Sequence, residues 1–174
     1  MKKEIVLAGG CFWGLEKYFQ EIEGVLETQV GFANGKIQAP SYEDVCYRNT
    51  GHAEVVDIVY DSEIVSLAFL LEMYYQVIDP TILNRQGPDT GTQYRTGIYF
   101  IDSEDQAVIA DSLANLQKKY RDKVVVELKP LENFYPADES HQKYLDKHPG
   151  GYCHIDEKYF ELAKQAKDIG SKKI

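Results

Sequence analysis

Cys11 stands in Gly9-Gly10-Cys11-Phe12-Trp13-Gly14, where the apolar run Ile5-Val6-Leu7 gives way to Leu15, Tyr18, Phe19 and Ile22 at helical spacing. A thiol at such a junction is a candidate nucleophile. Unpaired N–H groups and the positive end of a helix stabilise an anion, so the sequence predicts a lowered thiol pKa and a populated thiolate. The flanking glycines suit either a tight strand-to-helix turn or close approach of a substrate to the backbone. Phe12 and Trp13 read as core on burial statistics, or as the apolar wall of a small pocket once the neighbouring thiol is counted.

The three cysteines, Cys11, Cys46 and Cys153, contain no CxxC pair. A disulfide scaffold or a four-cysteine zinc site is therefore disfavoured, and redox or nucleophilic use of one or two thiols fits better. Cys46, next to Val45 in a short helical stretch, reads as a buried and unreactive thiol. His52, His141, His148 and His154 have no ligand spacing that convinces, so neither a metal nor another cofactor is expected. His52 is expected to support the loop before Glu54, and the other histidines to be structural or exposed. Glu54 lies in an apolar run, where desolvation would keep it protonated as an acid; a solvent-pointing glutamate at a strand start is the plainer alternative.

The elements that must position these groups follow from periodicity and turn chemistry. Strands are predicted at 5–7, 25–32, 54–60, 97–101 and 124–128, the third of them central and covered on both faces. Helices are predicted after Cys11, at 42–46, from the Ser66 cap to about 77, over 103–121 with Ser103 as cap and Gln106 at the capping-box position, at 139–147, and at 156–167. Gln38 to Gly51 and Thr81 to Thr96 read as long functional loops. The order predicts an α+β sandwich: a ferredoxin-like core with one mixed sheet packed by helices.

With 174 residues and 44% hydrophobic content the chain fits a single domain, 1–174. Residues after about 150 read as a mobile Gly-rich tail followed by a terminal helix. A net charge of −9 argues against a nucleic-acid partner. Lys164, Lys167, Lys172 and Lys173 read as a solvated helix and tail. No apolar run is long enough to cross a bilayer, so a cytoplasmic protein without membrane association, and a monomer, are expected. The thirteen tyrosines exceed what a core needs, and some should line a polar cleft.

Taken together, Gly-Cys11-Phe-Trp-Gly, Gly51-His52-Ala53-Glu54, Gly91-Thr92-Gln93-Tyr94-Arg95 and Gly151-Tyr152-Cys153 resemble the peptide methionine sulfoxide reductase A family over about residues 4–157. The resemblance implies reduction of methionine S-sulfoxide, free or peptide-bound. It implies Cys11 as nucleophile, Glu54 as acid, Tyr42 and Tyr94 as donors to the sulfoxide oxygen, and Asp89 as a polar group ordering water or substrate. Phe12 and Trp13 then receive the methyl group, and Tyr152 adds to the cleft. Thiol attack on a sulfoxide leaves a sulfenic acid, which a second thiol condenses to a disulfide; Cys153, distant in sequence and in a glycine-rich tail, is the best resolving candidate. Thioredoxin is the implied reductant. Two alternatives share these residues: a thiol peroxidase or oxidoreductase, and a non-catalytic binder of oxidised methionine.

Overall fold

The computed structural model describes residues 1–168. Strands β1 (Lys2–Ala8), β2 (Val25–Ala33), β3 (Ala53–Asp61), β6 (Gly97–Phe100), β7 (Glu127–Pro130) and β8 (Phe134–Pro136) form one sheet in the order β7-β6-β1-β3-β2-β8, and β4 (Arg85–Gln86) and β5 (Asp89–Thr90) make a small separate hairpin. All pairings in the large sheet are antiparallel except β6 with β7. The helices are α1 (Phe12–Gln20), α2 (Tyr42–Tyr47), α3 (Leu67–Tyr75), α4 (Asp105–Gln117), α5 (Tyr144–Lys147) and α6 (Glu157–Gln165). The four inner strands, β6-β1-β3-β2, keep the expected ferredoxin-like order, and α4 supplies the long crossover that the parallel β6–β7 pair requires.

Period-two alternation divides the sheet into two faces. Ile5 and Leu7 of β1 join Val56, Ile58 and Tyr60 of β3 against the helices, with Phe12, Leu15, Phe19, Leu70 and Ile109 filling the main core. Val6, Ala8, Val55 and Tyr99 face the other way into a smaller cluster beneath Leu131 and Phe134. β3 is central as predicted, but from Asp57 onward its second face is only half covered, because the cover stops at that short segment.

Several boundaries differ from expectation. Ser66 does cap α3, accepting the Phe69 N–H at 3.1 Å. Ser103 does not cap α4; Asp102 Oδ1 accepts the Glu104 N–H at 3.0 Å instead, and the helix is shorter at both ends than predicted. The strand predicted at 124–128 is regular only from Glu127, and β8 was not predicted. The helix predicted over 139–147 is interrupted: a 3-10 turn at Glu139–His141 is separated from α5 by Lys143, whose φ of 51° is left-handed. Lys164 pairs with Glu161 and Lys167 with Glu23, whereas Lys172 and Lys173 lie outside the described residues.

Candidate active site

Cys11 is the N-cap of α1, extended at φ −60° and ψ 128°, immediately after Gly10 at φ +79°. That left-handed step turns the chain from β1 into α1. A Cβ on Gly10 would also come within 2.8 Å of the Gln86 Cβ and 3.0 Å of the His154 ring, so glycine is required there twice over. The turn places the thiol at the edge of the sheet's helical face, 6% exposed.

Glu54 occupies the same face because it is in phase with Val56 and Ile58 on β3. It is 1% exposed, and its Oε1 accepts the Phe12 N–H, one of the free donors of the α1 N-terminus, at 3.1 Å. Its Oε2 is buried and has no hydrogen-bond partner among the described residues. Burial pushes the carboxyl up to about 8, against the opposing pull of the Phe12 N–H. Glu54 therefore holds its proton at neutral pH, and the solvent-pointing alternative is set aside.

The thiol departs from expectation in sign. Burial, followed by the charge of Glu54, pushes Cys11 well above the ordinary thiol range, and the hydrogen bond from the helix start only partly opposes this. Desolvation of an anion outweighs one helix end when the group is almost fully covered.

Tyr42, on the first turn of α2, and Tyr94, in the 3-10 turn Thr92–Tyr94, are both half-buried phenols that burial holds in the protonated, donating form, reinforced by Glu54 once that carboxyl ionises. Phe12 is fully buried and Trp13 half-buried. Trp13 stacks on Tyr144 with centroids 3.8 Å apart, and Phe12 lies 6.3 Å from Tyr42. Asp89 accepts a hydrogen bond from the Tyr152 hydroxyl at 2.8 Å, tying the hairpin to the tail. Beside Tyr152, the Cys153 sulfur packs on Gly14, where an added Cβ would come within 2.7 Å of it. Gly14 lies one helical turn after Cys11, Cys153 is within electrostatic reach of the Cys11 thiol, and both thiols are free. The Cys153 sulfur accepts the Ile155 N–H at 3.4 Å, and burial raises that thiol as well.

Cys46 is half-buried rather than buried, hydrogen-bonded to the side chain of Tyr42, and raised by burial. His52 does support its loop: Nε2 lies 2.6 Å from the Ile37 carbonyl oxygen. His141, expected to be structural or exposed, sits inside the site: its ring stacks on Tyr42 at 4.3 Å and its Nδ1 accepts the Trp13 Nε1–H at 3.2 Å. Nothing in Glu-Ser-His-Gln marks it, because its partners lie on α1 and α2.

A family model for peptide methionine sulfoxide reductase matches residues 3–173. The chain belongs to the peptide methionine sulfoxide reductase family. It is 57% identical to a peptide methionine sulfoxide reductase MsrA of Lachnoclostridium phytofermentans, over 95% of this chain and all of that one. Among solved structures it is similar to reduced Mxr1 of Saccharomyces cerevisiae, with 38% identity, a TM-score of 0.84, and coverage of 89% of this chain and 91% of that one. It is also similar to Mxr1 in complex with Trx2, with 27% identity, a TM-score of 0.59, and coverage of 82% and 84%. This family membership fits a cleft that gathers a thiol, a neutral carboxylic acid and two phenols. No helix among the described residues is long and apolar enough to cross a membrane.

Proposed function

We propose that this chain reduces methionine S-sulfoxide, free or within polypeptides, to methionine. The observation that carries the reading is the Glu54 carboxyl, neutral below about pH 8, whose Oε1 accepts the N–H of Phe12, the residue after the thiol-bearing N-cap, and whose Oε2 is buried and unpartnered among the described residues. A sulfoxide oxygen leaves only when protonated, and such an acid can supply the proton. Tyr42 and Tyr94 donate to the same oxygen, while Phe12 and Trp13 receive the methyl group. This asymmetry of polar and apolar walls selects one hand at sulfur.

Cys11 sulfur attacks the substrate sulfur, the sulfoxide oxygen is transferred, and methionine leaves Cys11 as a sulfenic acid. The Cys153 sulfur then attacks the Cys11 sulfur and expels water, forming a disulfide, with the tail after about residue 150 moving to allow it. Asp89 and Tyr152 border the cleft and hold that tail beside it.

A dithiol protein such as thioredoxin returns both thiols, as the complex of the related Mxr1 with Trx2 suggests. A groove of about 800 Å³ reaches Cys153 past Leu145, Pro149, Ile155 and Phe160, giving such a protein access away from the substrate walls.

The test is methionine release from each sulfoxide epimer with dithiothreitol as reductant. The S epimer should be consumed, and Cys11→Ser should abolish turnover; activity that survives in Cys11→Ser refutes the assignment. Cys153→Ser should complete one turnover yet lose thioredoxin-driven cycling. The mass of a proteolytic fragment from sulfoxide-treated protein should contain Cys11 linked to Cys153.

A further inference from the structure

Trp13 is the only tryptophan of the chain. Tyr144 covers one face of its indole with planes 12° from parallel, and the indole N–H is spent on His141. The imidazole in turn lies 21° from parallel on Tyr42 and 5.8 Å from Phe12, so a single ring touches both the apolar wall and the phenol opposite it.

The segment that carries the ring is fixed from behind. The backbone N–H of His141 donates to the Asp138 carbonyl at 2.9 Å. The Gln142 side chain accepts the Val30 N–H at 2.8 Å and donates to the Val30 carbonyl at 2.9 Å. The Lys143 N–H is bonded to Glu16 at 2.7 Å, and Glu16, 1% exposed, also accepts the Thr28 hydroxyl at 2.8 Å. These bonds anchor the segment to β2 and α1 independently of the indole, and the stack on Tyr42 orients the ring that presents Nδ1 to it.

We propose that His141 is a positioning residue for sulfoxide reduction: its neutral ring sets the angle between the Trp13 wall and the Tyr42 hydroxyl, and protonating it releases the indole. This rests on the reading that Trp13 and Tyr42 form the two walls of the substrate cleft. Nδ1 can accept the indole N–H only while it carries no proton of its own, which places the proton of the neutral ring on Nε2; in the imidazolium both nitrogens are donors.

Burial disfavours that cation and Asp138, in the same turn, favours it, with the balance below the ordinary histidine value. From α1 the ring meets Phe12 and Trp13, from α2 the protonated Tyr42, and from α5 Tyr144 by way of Trp13, with His148 on the far side of that phenol. Glu54 is bonded to the backbone of Phe12, and Glu139 is paired with Lys147.

The experiment is the fluorescence of the single tryptophan against pH in the wild type, His141→Asn and His141→Phe, with KM and kcat for methionine sulfoxide at neutral pH. The wild type should show one emission transition below pH 6.5. His141→Asn offers an amide oxygen in place of Nδ1, and should abolish the transition while keeping KM within about threefold, since the hydrogen bond is retained. His141→Phe keeps the stacking and loses the acceptor; its neutral-pH emission should already resemble that of acidified wild type, and KM should rise by roughly 3- to 10-fold with a smaller change in kcat. A transition that persists in His141→Asn, or His141→Phe with wild-type emission and KM, overturns the proposal. The emission measurements need no substrate, so a wild type that fails to reduce sulfoxides would refute the proposed function without deciding the state of His141.

Discussion

Glu54→Gln leaves an oxygen for the Phe12 N–H, which Oε1 now accepts at 3.1 Å, and removes the proton carried by the carboxyl. In the fold this carboxyl ionises at about 8, against 4.5 for an unperturbed glutamate. Between those values the folded protein holds a proton that the unfolded chain has released, so stability is highest below pH 4.5 and declines as pH rises toward 8. The whole gap corresponds to on the order of 5 kcal/mol, of which roughly 3.5 kcal/mol falls between pH 5 and pH 8. Glutamine does not titrate.

The glutamine amide group would take the unpartnered position of Oε2 at a cost of about 1–3 kcal/mol, but that cost does not vary with pH. Urea unfolding at pH 5 and pH 8 should therefore show the variant gaining roughly 3.5 kcal/mol on the wild type across the interval, whatever its absolute stability. Activity should move the other way. Loss of a general acid lowers kcat/KM by roughly 10²- to 10⁴-fold, and the wild-type decline in rate above about pH 8 should disappear from the residual activity. Stability curves that run parallel from pH 5 to pH 8, or a variant with a third of wild-type activity, would refute the reasoning.

The remaining predictions concern the second thiol and the phenols. Gly14→Ala would put a methyl group within 2.7 Å of the Cys153 sulfur, so it should displace the resolving thiol, slow disulfide formation after a sulfoxide pulse and leave the first turnover intact, as read by quenched-flow alkylation. Tyr42→Phe and Tyr94→Phe should each lower kcat, and the double variant should lose roughly 10²- to 10³-fold, the usual cost of removing donors to a developing oxyanion; steady-state kinetics on the S epimer decides this. A double variant as active as either single one would mean that the two phenols do not share the oxygen.

How far the sequence carries depends on whether each residue's partners are near it along the chain. Cys11 at a helix start, Ser66 as a cap and Glu54 within an apolar strand follow from local pattern, and the structure keeps all three. The raised thiol does not, because burial depends on what packs over Cys11 rather than on its neighbours in sequence. The helix predicted over 139–147 breaks because Gln142 and the Lys143 N–H find partners 112 and 127 residues away, on Val30 and Glu16. His141 was missed for the same reason. Tyr42 and Tyr94 were singled out from thirteen tyrosines by family resemblance alone, and their shared electrostatic link to Glu54 becomes visible only in three dimensions.

The pairing of Gln142 with Val30 also bears on an exposed edge of the sheet. β2 is an outer strand over most of its length, with β8 covering only Gly31 to Ala33. The Gln142 amide occupies the next outward-facing pair of backbone groups, and Lys143 reaches the Thr28 carbonyl at 3.5 Å. A side chain thus stands in for a missing strand and blocks a template on which another chain could add. Gln142→Ala should expose that edge, and light scattering at rising protein concentration should reveal self-association before any loss of helix is seen by circular dichroism. The segment that presents His141 to the cleft is therefore also a seal on the sheet, and a lesion that loosens it would uncover the β2 edge and disturb the cleft together.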